Sequence, residues 1–274
     1  LFGGSNTAGS ETIAAELMHA KSEPSVKAVV LRVDSPGGSA YASDEIWRAV
    51  AKVRESGKPV IVSMGGVAAS GGYYVSAGAN AIYAQNSTIT GSIGVIGGKV
   101  NFEDLYEKLG VNYELYNRGR NAAIFSNSKP FDTVEFAAFD RMLGDIYTQF
   151  TNKVALGRSM EQEQVEEVAR GRVWSGQRAK DAQLVDEIGG FHDAIERAKK
   201  EAKIGNKTKV ELVTFKHRGG PTDTFTRAGV QLMQRAFLPR MSAKPIPELE
   251  MLEQWQAVGD EKVWTLMPYR VNVR

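Results

Sequence analysis

The feature that most constrains the fold of this chain is an apolar run that passes directly into a glycine-rich turn. The run Pro59-Val60-Ile61-Val62 is typical of a buried strand, and the small residues after Ser70 are suited to begin a helix. A serine at such a junction is held on a tight turn with its hydroxyl at the end of a sheet. The N–H groups that follow point at whatever the hydroxyl attacks. For this segment alone, a bystander serine in a glycine-rich turn is the safer interpretation, and a second glycine turn shifts the balance toward Ser70 as a nucleophile.

A second glycine turn lies upstream. Val29–Val33 reads as another buried strand, and it ends in Asp34-Ser35-Pro36-Gly37-Gly38-Ser39. Because parallel strands end at the same edge of a sheet, the two turns are expected to meet there. Backbone donors beside an activated serine form an oxyanion hole, in which the loss of one donor costs about 2.7–4 kcal/mol of barrier.

The whole chain alternates strand and helix patterns, which predicts an α/β fold built from parallel βα units. Asp132 followed by Glu135 predicts a capping box at the start of a long helix. The apolar stripe from Phe136 to Val154 along that helix indicates core or subunit contact. Four other helices are predicted: one with Ser10 as its N-cap, one over Ile46–Val53, one that starts at Ser70 and one over Asn101–Leu109. The predicted strands are Val29–Val33, Val60–Ser63, Ala81–Ala84, Ser92–Ile96 and Asn112–Tyr116.

Composition excludes several classes of protein. The chain has 34 basic and 32 acidic residues, so we expect no nucleic-acid partner. The absence of cysteine excludes disulfides, thiolate catalysis and cysteine-zinc sites. Apolar runs are strand-sized and fall short of the roughly 18 residues that cross a bilayer. We predict neither a cofactor nor a metal.

The chain opens at Leu1 without an initiator methionine, which suggests a piece of a longer protein. We expect a catalytic domain over residues 1–205, with its first strand missing, and an extension over residues 206–274. The extension carries no recognisable chemistry. It is expected to pack on the domain or on a neighbouring subunit.

Three motifs in order resemble the signal peptide peptidase A (protease IV) family: Ser-Pro-Gly-Gly, then Met-Gly-x-x-Ala-Ala-Ser-Gly-Gly-Tyr-Tyr, then Thr90-Gly91-Ser92-Ile93-Gly94. The resemblance implies a ClpP/crotonase-like spiral of ββα units and a Ser/Lys dyad. It assigns Ser70 as nucleophile, Gly38 and Gly71 as oxyanion-hole donors, and Ser92 as the serine that orients the lysine.

The lysine itself is not at its family position. In single-unit relatives it follows the strand matching Asn112–Tyr116, where this sequence has Ala122. Lys99 and Lys129 flank the region and are expected to be solvated loop lysines. Longer members have two homologous halves, with the lysine in the first. The vacant lysine position and the intact serine motif therefore suggest the C-terminal half of the two-repeat form.

Histidine is not expected to supply the base. The three histidines are His19, His192 and His217, and none falls in the segment after Ser70 where a Clp-type triad has its histidine. They are interpreted as surface or structural residues. The resemblance thus predicts a lysine base made neutral by burial.

The resemblance also implies partners and a location. We expect apolar peptides such as signal-peptide remnants as substrates, and an N-terminal half that carries the lysine. A homo-oligomer is expected, with a tetramer as one option, at the periplasmic face of a bacterial inner membrane. Two other functions stay open: a crotonase-type acyl-CoA enzyme, which would not need Ser70, and a non-catalytic assembly half.

Overall fold

The helices and strands alternate along most of the chain, as the sequence predicts. The computed structural model describes residues 8–205 and 208–214 and the backbone of residues 263–266. Eight helices lie within these residues: α1 Ser10–Ser22, α2 Ala40–Glu55, α3 Gly71–Ala77, α4 Glu103–Lys108, α5 Thr133–Arg158, α6 Gln162–Val168, α7 Gly176–Asp181 and α8 Phe191–Glu201. Nine strands accompany them: β1 Val29–Ser35, β2 Gly37–Ser39, β3 Val60–Ala69, β4 Ala81–Ala84, β5 Ile89–Gly91, β6 Ile96–Gly97, β7 Val173–Ser175, β8 Glu187–Ile188 and β9 Val263–Leu266.

The central strand β3 changes partners along its length. Its first half pairs in parallel with β1 and β4, and its last residues pair in parallel with β5. The register between β1 and β3 shifts after Val33, so that Ser35 lies opposite Ala68. This change of partners curls the six-stranded sheet, which runs β7-β5-β3-β4-β8 with β1 beside β3. The result is a mixed α/β fold, as predicted.

The core forms where helices cover this sheet. Nearly all of β3 is fully buried, because its side chains on both faces are covered, as is typical of a central parallel strand. Tyr74 of α3 stacks on Phe150 of α5, with ring centroids 4.5 Å apart. Helix α3 is buried along its whole length. The helix that follows Ser70 is therefore fixed from all sides.

The long helix α5 begins as the sequence predicts. The Asp132 side chain accepts hydrogen bonds from the N–H groups of Val134 and Glu135, and the Glu135 carboxylate accepts one from the Asp132 N–H. Phe150 and Val154 of the predicted stripe are buried, whereas Phe136 is 59% exposed. Phe139 is buried as well, so most of the stripe faces the protein and Phe136 is its exposed member.

Two predicted strands are wrong. Ser92–Ile96 is not a strand, because Ser92 adopts a φ of +50° that ends β5 at Gly91. Asn112–Tyr116 is irregular and exposed, and so lacks the burial that a strand of this fold would need. Helix α1 also differs slightly, since Gly9 rather than Ser10 is its N-cap.

The predicted extension over residues 206–274 lies mostly outside the described residues. Of its described parts, residues 208–214 are irregular and exposed. Strand β9 pairs with β2 and β6 in a separate three-stranded sheet. No helix within the described residues is long and apolar enough to cross a membrane.

Candidate active site

Ser70 lies on a strained turn between β3 and α3. Its backbone has φ +53° and ψ −116°, a conformation that L-residues rarely adopt. Holding a non-glycine residue there costs of order 1–3 kcal/mol and is typical of functional sites. The strand-to-helix geometry is that of a nucleophile elbow, as predicted. Ser70 is fully buried, and its Oγ has no hydrogen-bond partner among the described residues.

Backbone hydrogen bonds hold this turn in place. The Ser70 N–H donates to the Gly91 carbonyl at 2.8 Å, which extends the pairing of Ala69 with Gly91 by one step. The Ser70 carbonyl accepts from the Tyr74 N–H at 2.8 Å and so closes the first turn of α3. The elbow is therefore fixed to its neighbouring strand as well as to its own helix.

Ser92 lies beside Ser70 because the residues before them, Gly91 and Ala69, are paired between β5 and β3. Strand β5 ends at Gly91, and the Ser92 N–H donates to the Arg172 carbonyl at 2.7 Å. Ser92 is fully buried, and within the described part of the chain its Oγ also has no hydrogen-bond partner. The structure thus places both predicted serines at one edge of the sheet.

The glycine turn between β1 and β2 meets α3 at the same edge. Gly37 has φ +123°, a conformation that favours glycine, and its N–H donates to the Ser35 Oγ at 3.2 Å. A Cβ added at Gly72 would lie 2.6 Å from the Ser35 carbonyl oxygen, so the turn and the helix touch through backbone. Gly38 follows Gly37 in β2, and this strand contacts α3, the helix that begins with Gly71. The oxyanion roles of Gly38 and Gly71 stay predictions.

Asp34 has a structural role. Its Oδ1 accepts a hydrogen bond from the Val67 N–H at 3.0 Å, across the register shift between β1 and β3. A Cβ added at Gly65 would lie 2.5 Å from the Asp34 Cγ, so glycine is needed to admit this carboxylate. Asp34 therefore holds the end of β1 against β3.

Comparison with known proteins agrees with this geometry. Peptidase family S49 matches residues 52–205, more than half of the chain. The chain belongs to this family.

Curated relatives point the same way. "Serine protease SPPA, chloroplastic" from Arabidopsis thaliana is 44% identical, over 76% of this chain and 31% of the relative. "Protease 4" from Haemophilus influenzae is 41% identical, over 74% of this chain and 33% of the relative. "Putative signal peptide peptidase SppA" from Enterococcus faecium is 39% identical, over 72% of this chain and 57% of the relative. The chain thus spans about a third of the length of the first two.

Membership in family S49 confirms the predicted family, the ClpP/crotonase-like fold class and the class of serine proteases. The alternative of a crotonase-type acyl-CoA enzyme loses its support, because the match is to a peptidase family. No group of three or more His, Asp or Glu residues that could hold a metal ion occurs among the residues described for this S49 peptidase.

The position at which the resemblance predicts the lysine holds Ala122, which has no amine. Ala122 is exposed in a run of turns. Lys129 does not behave as a solvated loop lysine, because its Nζ donates to the Glu135 Oε1 at 2.7 Å and Glu135 is almost fully buried. This ion pair holds the pKa of Glu135 below its ordinary value of 4.5.

The expectation for Lys99 is wrong. Its Nζ is buried, lies 4.3 Å from the centre of the Phe131 ring, and has no hydrogen-bond partner within the described ranges. Burial lowers the pKa of this amine, because desolvation disfavours the charged form. No local signal in the sequence Gly97-Gly98-Lys99 indicates this burial, which depends on Phe131 more than 30 residues away.

The histidines fit their predicted role where they can be seen. His19 is exposed on α1, and His192 is exposed in the first turn of α8. His217 lies outside the described residues. The segment Arg172–Gly176 is also structural, since the Ser175 Oγ accepts from the Arg178 N–H and caps α7.

Proposed function

We propose that this chain carries the nucleophile half of a Ser/Lys endopeptidase that hydrolyses apolar peptides. Ser70 attacks the peptide carbonyl, and the N–H groups of Gly38 and Gly71 stabilise the resulting oxyanion. A neutral lysine amine from outside the described residues accepts the Ser70 proton. Ser92 accepts a hydrogen bond from that amine and so orients it.

The observation that carries this proposal is the pair of unpartnered hydroxyls of Ser70 and Ser92. Most buried polar atoms in folded proteins are hydrogen-bonded. A buried hydroxyl without a partner costs about 1–3 kcal/mol. Within the described residues, both hydroxyls lack a hydrogen-bond partner. The two serines are neighbours, because they directly follow the paired residues Ala69 and Gly91. One neutral amine placed between them would accept from Ser70 and donate to Ser92, so a single group satisfies both.

We propose that this amine comes from the rest of the protein. Ala122 cannot supply it, and the Lys129 amine is engaged by Glu135. The Lys99 amine lies over the Phe131 ring. The chain spans 31% of the Arabidopsis relative, so a longer protein has room for an N-terminal half with the lysine.

A homo-oligomer would bring such a lysine across an interface. Exposed apolar side chains cluster in one part of the chain and offer contact surface: Ile96, Val100, Leu105, Leu109, Val111, Tyr113, Leu115 and Tyr116. Large exposed apolar patches commonly mark protein interfaces. The subunit number, including the tetramer expected above, can be read by light scattering of the full-length protein.

For the substrate we propose cleaved signal peptides at the periplasmic face of a bacterial inner membrane. The Enterococcus faecium relative is named a putative signal peptide peptidase, which supports this choice. An apolar peptide also suits a site reached along a sheet edge, where main-chain hydrogen bonds supply affinity without regard to sequence.

The test measures hydrolysis of a fluorogenic apolar peptide by three samples: this chain alone, this chain mixed with the N-terminal half, and the full-length protein. We expect the chain alone to be nearly inactive and the mixture to recover activity. Ser70→Ala in the full-length protein should lower kcat by at least about 10³-fold, as for other serine nucleophiles. Ser76→Ala is the matched control, since this buried hydroxyl of α3 bonds only the Gly72 carbonyl in the described structure.

Two further measurements separate the alternatives. A fluorophosphonate should label Ser70 in the full-length protein, whereas a non-catalytic half would show no adduct. Ala122→Lys should raise the activity of the isolated chain if the family position maps correctly. Full activity from the unchanged chain would contradict the split site and direct attention to Lys99.

A further inference from the structure

Strand β9 is the central strand of an antiparallel sheet that it forms with β2 and β6. Leu266, Thr265 and Trp264 lie opposite Gly37, Gly38 and Ser39 in that order. On its other side, β9 places Trp264 opposite Ile96 and Val263 opposite Gly97. Residues from the distant end of the chain thus join two short strands that do not pair with each other.

This position lies beside the candidate nucleophile. Strand β2 follows the turn that touches Gly72 of α3, and Ser70 is the N-cap of that helix. The register puts Thr265 opposite Gly38, the proposed oxyanion-hole donor. A segment in β9 therefore follows the sheet edge along which a peptide would pass Ser70.

The edge is suited to bind extended chain. Strands β2 and β6 are three and two residues long, and each pairs with β9 through its backbone donors and acceptors. A Cβ added at Gly38 would meet no atom of the fully described residues within 4 Å. A peptide that inserts between two such strands binds by β-augmentation, with main-chain hydrogen bonds as the source of affinity.

The sequence of β9 fits the same mode of binding. Its residues Val263-Trp264-Thr265-Leu266 combine β-branched and aromatic side chains, which favour extended backbone. Three of the four are apolar, which is the chemistry proposed for the substrate. The segment thus has the backbone conformation and the composition of a ligand for this edge.

We propose that residues 263–266 act as an intramolecular competitor that occupies the peptide-binding edge of β2 and β6. Competition with substrate rests on the proposed function, because that function makes this edge the substrate path. Docking of the segment can be tested without any catalysis. An attached segment competes at an effective concentration on the order of millimolar, so a weakly binding free peptide is displaced.

The test compares the 274-residue chain with a chain that ends at Asp260. The probe is a fluorescein-labelled peptide of residues 262–267, Lys-Val-Trp-Thr-Leu-Met, followed by fluorescence anisotropy. We expect the shortened chain to bind the probe at least about tenfold more tightly, because the attached segment no longer competes. Equal affinity for the two chains would overturn the proposal. Absence of binding to both, up to probe concentrations on the order of 1 mM, would overturn it as well.

Two point variants of the complete chain guard against an effect of truncation on folding. Because β9 lies between two strands, its backbone N–H groups face one strand or the other, and proline removes such a donor. Thr265→Pro should therefore bind the probe like the shortened chain. Thr265→Ala, which keeps the N–H, should behave like the unchanged chain. If the two variants bind the probe alike, backbone pairing of β9 is not what closes the edge.

The outcome is independent of hydrolysis. The same comparison with Ser70→Ala in each chain should give the same difference in probe affinity, because binding needs no nucleophile. A difference in probe affinity without any peptidase activity in the full-length protein would support docking and refute the proposed function. Peptidase activity together with equal probe affinities would support the proposed function and refute docking.

Discussion

Residues 60–97 and residues 98–131 follow each other in the chain but are organised in opposite ways. The first region contains β3, α3, β4, β5 and β6, and most of its side chains are buried. The second contains only the six-residue helix α4 and irregular chain, with Leu109 67% exposed and Tyr116 90% exposed. Ser70 and Ser92 lie in the first region. Ala122, where the resemblance predicts a lysine, lies in the second.

The contrast shows that the two sides of the candidate site are prepared differently. Ser70 and Ser92 are held by backbone hydrogen bonds to Gly91 and Arg172, which form within this chain. The region that should bring the base offers apolar side chains to the outside instead. The turn that carries the candidate nucleophile is therefore fixed within this chain, whereas the region that holds Ala122 is mostly exposed.

Two substitutions to alanine, one in each region, test this difference with the largest expected effect. Ile82 is fully buried in β4, so Ile82→Ala should lower the free energy of unfolding by about 2–5 kcal/mol. Leu109→Ala in the second region should change it by about 0.5 kcal/mol or less, because the side chain is mostly exposed. Urea unfolding of the isolated chain measures both. Similar losses would mean that the second region packs as tightly as the first.

The close contact between turn and helix gives the next largest effect. Gly72→Ala should cost about 1–3 kcal/mol, since its Cβ would be forced against the backbone oxygen of Ser35. It should also weaken fluorophosphonate labelling of Ser70 in the full-length protein. Gly144→Ala is the control: it lies in the exposed part of α5 with open space around it, and should stabilise the chain by about 0.5–1 kcal/mol. Equal stabilities for the two variants would disprove the tight contact.

The ion pair of Lys129 with Glu135 joins the second region to α5, and a fall in pH should weaken this ion pair. The pKa of Glu135 in the folded chain lies below 4.5, chiefly because Lys129 donates a hydrogen bond to it. Its contribution is therefore complete above that ordinary value and is lost as the pH falls through the lower, folded pKa.

Glu135→Gln should accordingly reduce the free energy of unfolding at neutral pH. In this variant the free energy of unfolding should also fall less between pH values of about 6 and 3. Urea unfolding across this range checks both effects. Asp140→Asn, on the exposed face of α5, is the matched control and should leave the slope unchanged. An unchanged slope in Glu135→Gln would show that this pair does not govern the acid response.

The smallest effect is expected from the histidines. Changing His19, His192 and His217 together to glutamine should alter peptide hydrolysis by the full-length protein less than about twofold, in keeping with the small effects of surface substitutions. Activity should rise toward alkaline pH, because a lysine base must lose its proton before it accepts one. A rate that follows a group titrating near neutrality, and disappears with one histidine, would favour a Ser-His site.

The sequence was sufficient where local pattern and tertiary environment agree. The strand-to-helix change at Ser70 and the capping box of Asp132 and Glu135 are local signals, and both are present in the structure. The family motifs also identify the peptidase family correctly. The capping box depends on residues within about one helical turn of each other, so a linear reading captures it.

The failures depend on distant partners. The alternation in Ser92–Ile96 suits a strand, yet the left-handed backbone of Ser92 interrupts it. The burial of Lys99 depends on Phe131, and β9 forms through pairing with residues more than 160 positions earlier. Such contacts are set by tertiary packing, which overrides local propensity in strands.

The unusual backbone of Ser70 has a consequence for how this chain can evolve. Glycine adopts φ +53° with ψ −116° far more easily than serine, so folding alone would favour glycine at position 70. Each round of selection for stability would then tend to remove the hydroxyl. Serine can persist there only if the activity of the hydroxyl is worth a lasting loss of stability, of order 1–3 kcal/mol. In a copy of the chain that no longer needs the hydroxyl, we expect glycine to replace Ser70 before other changes accumulate.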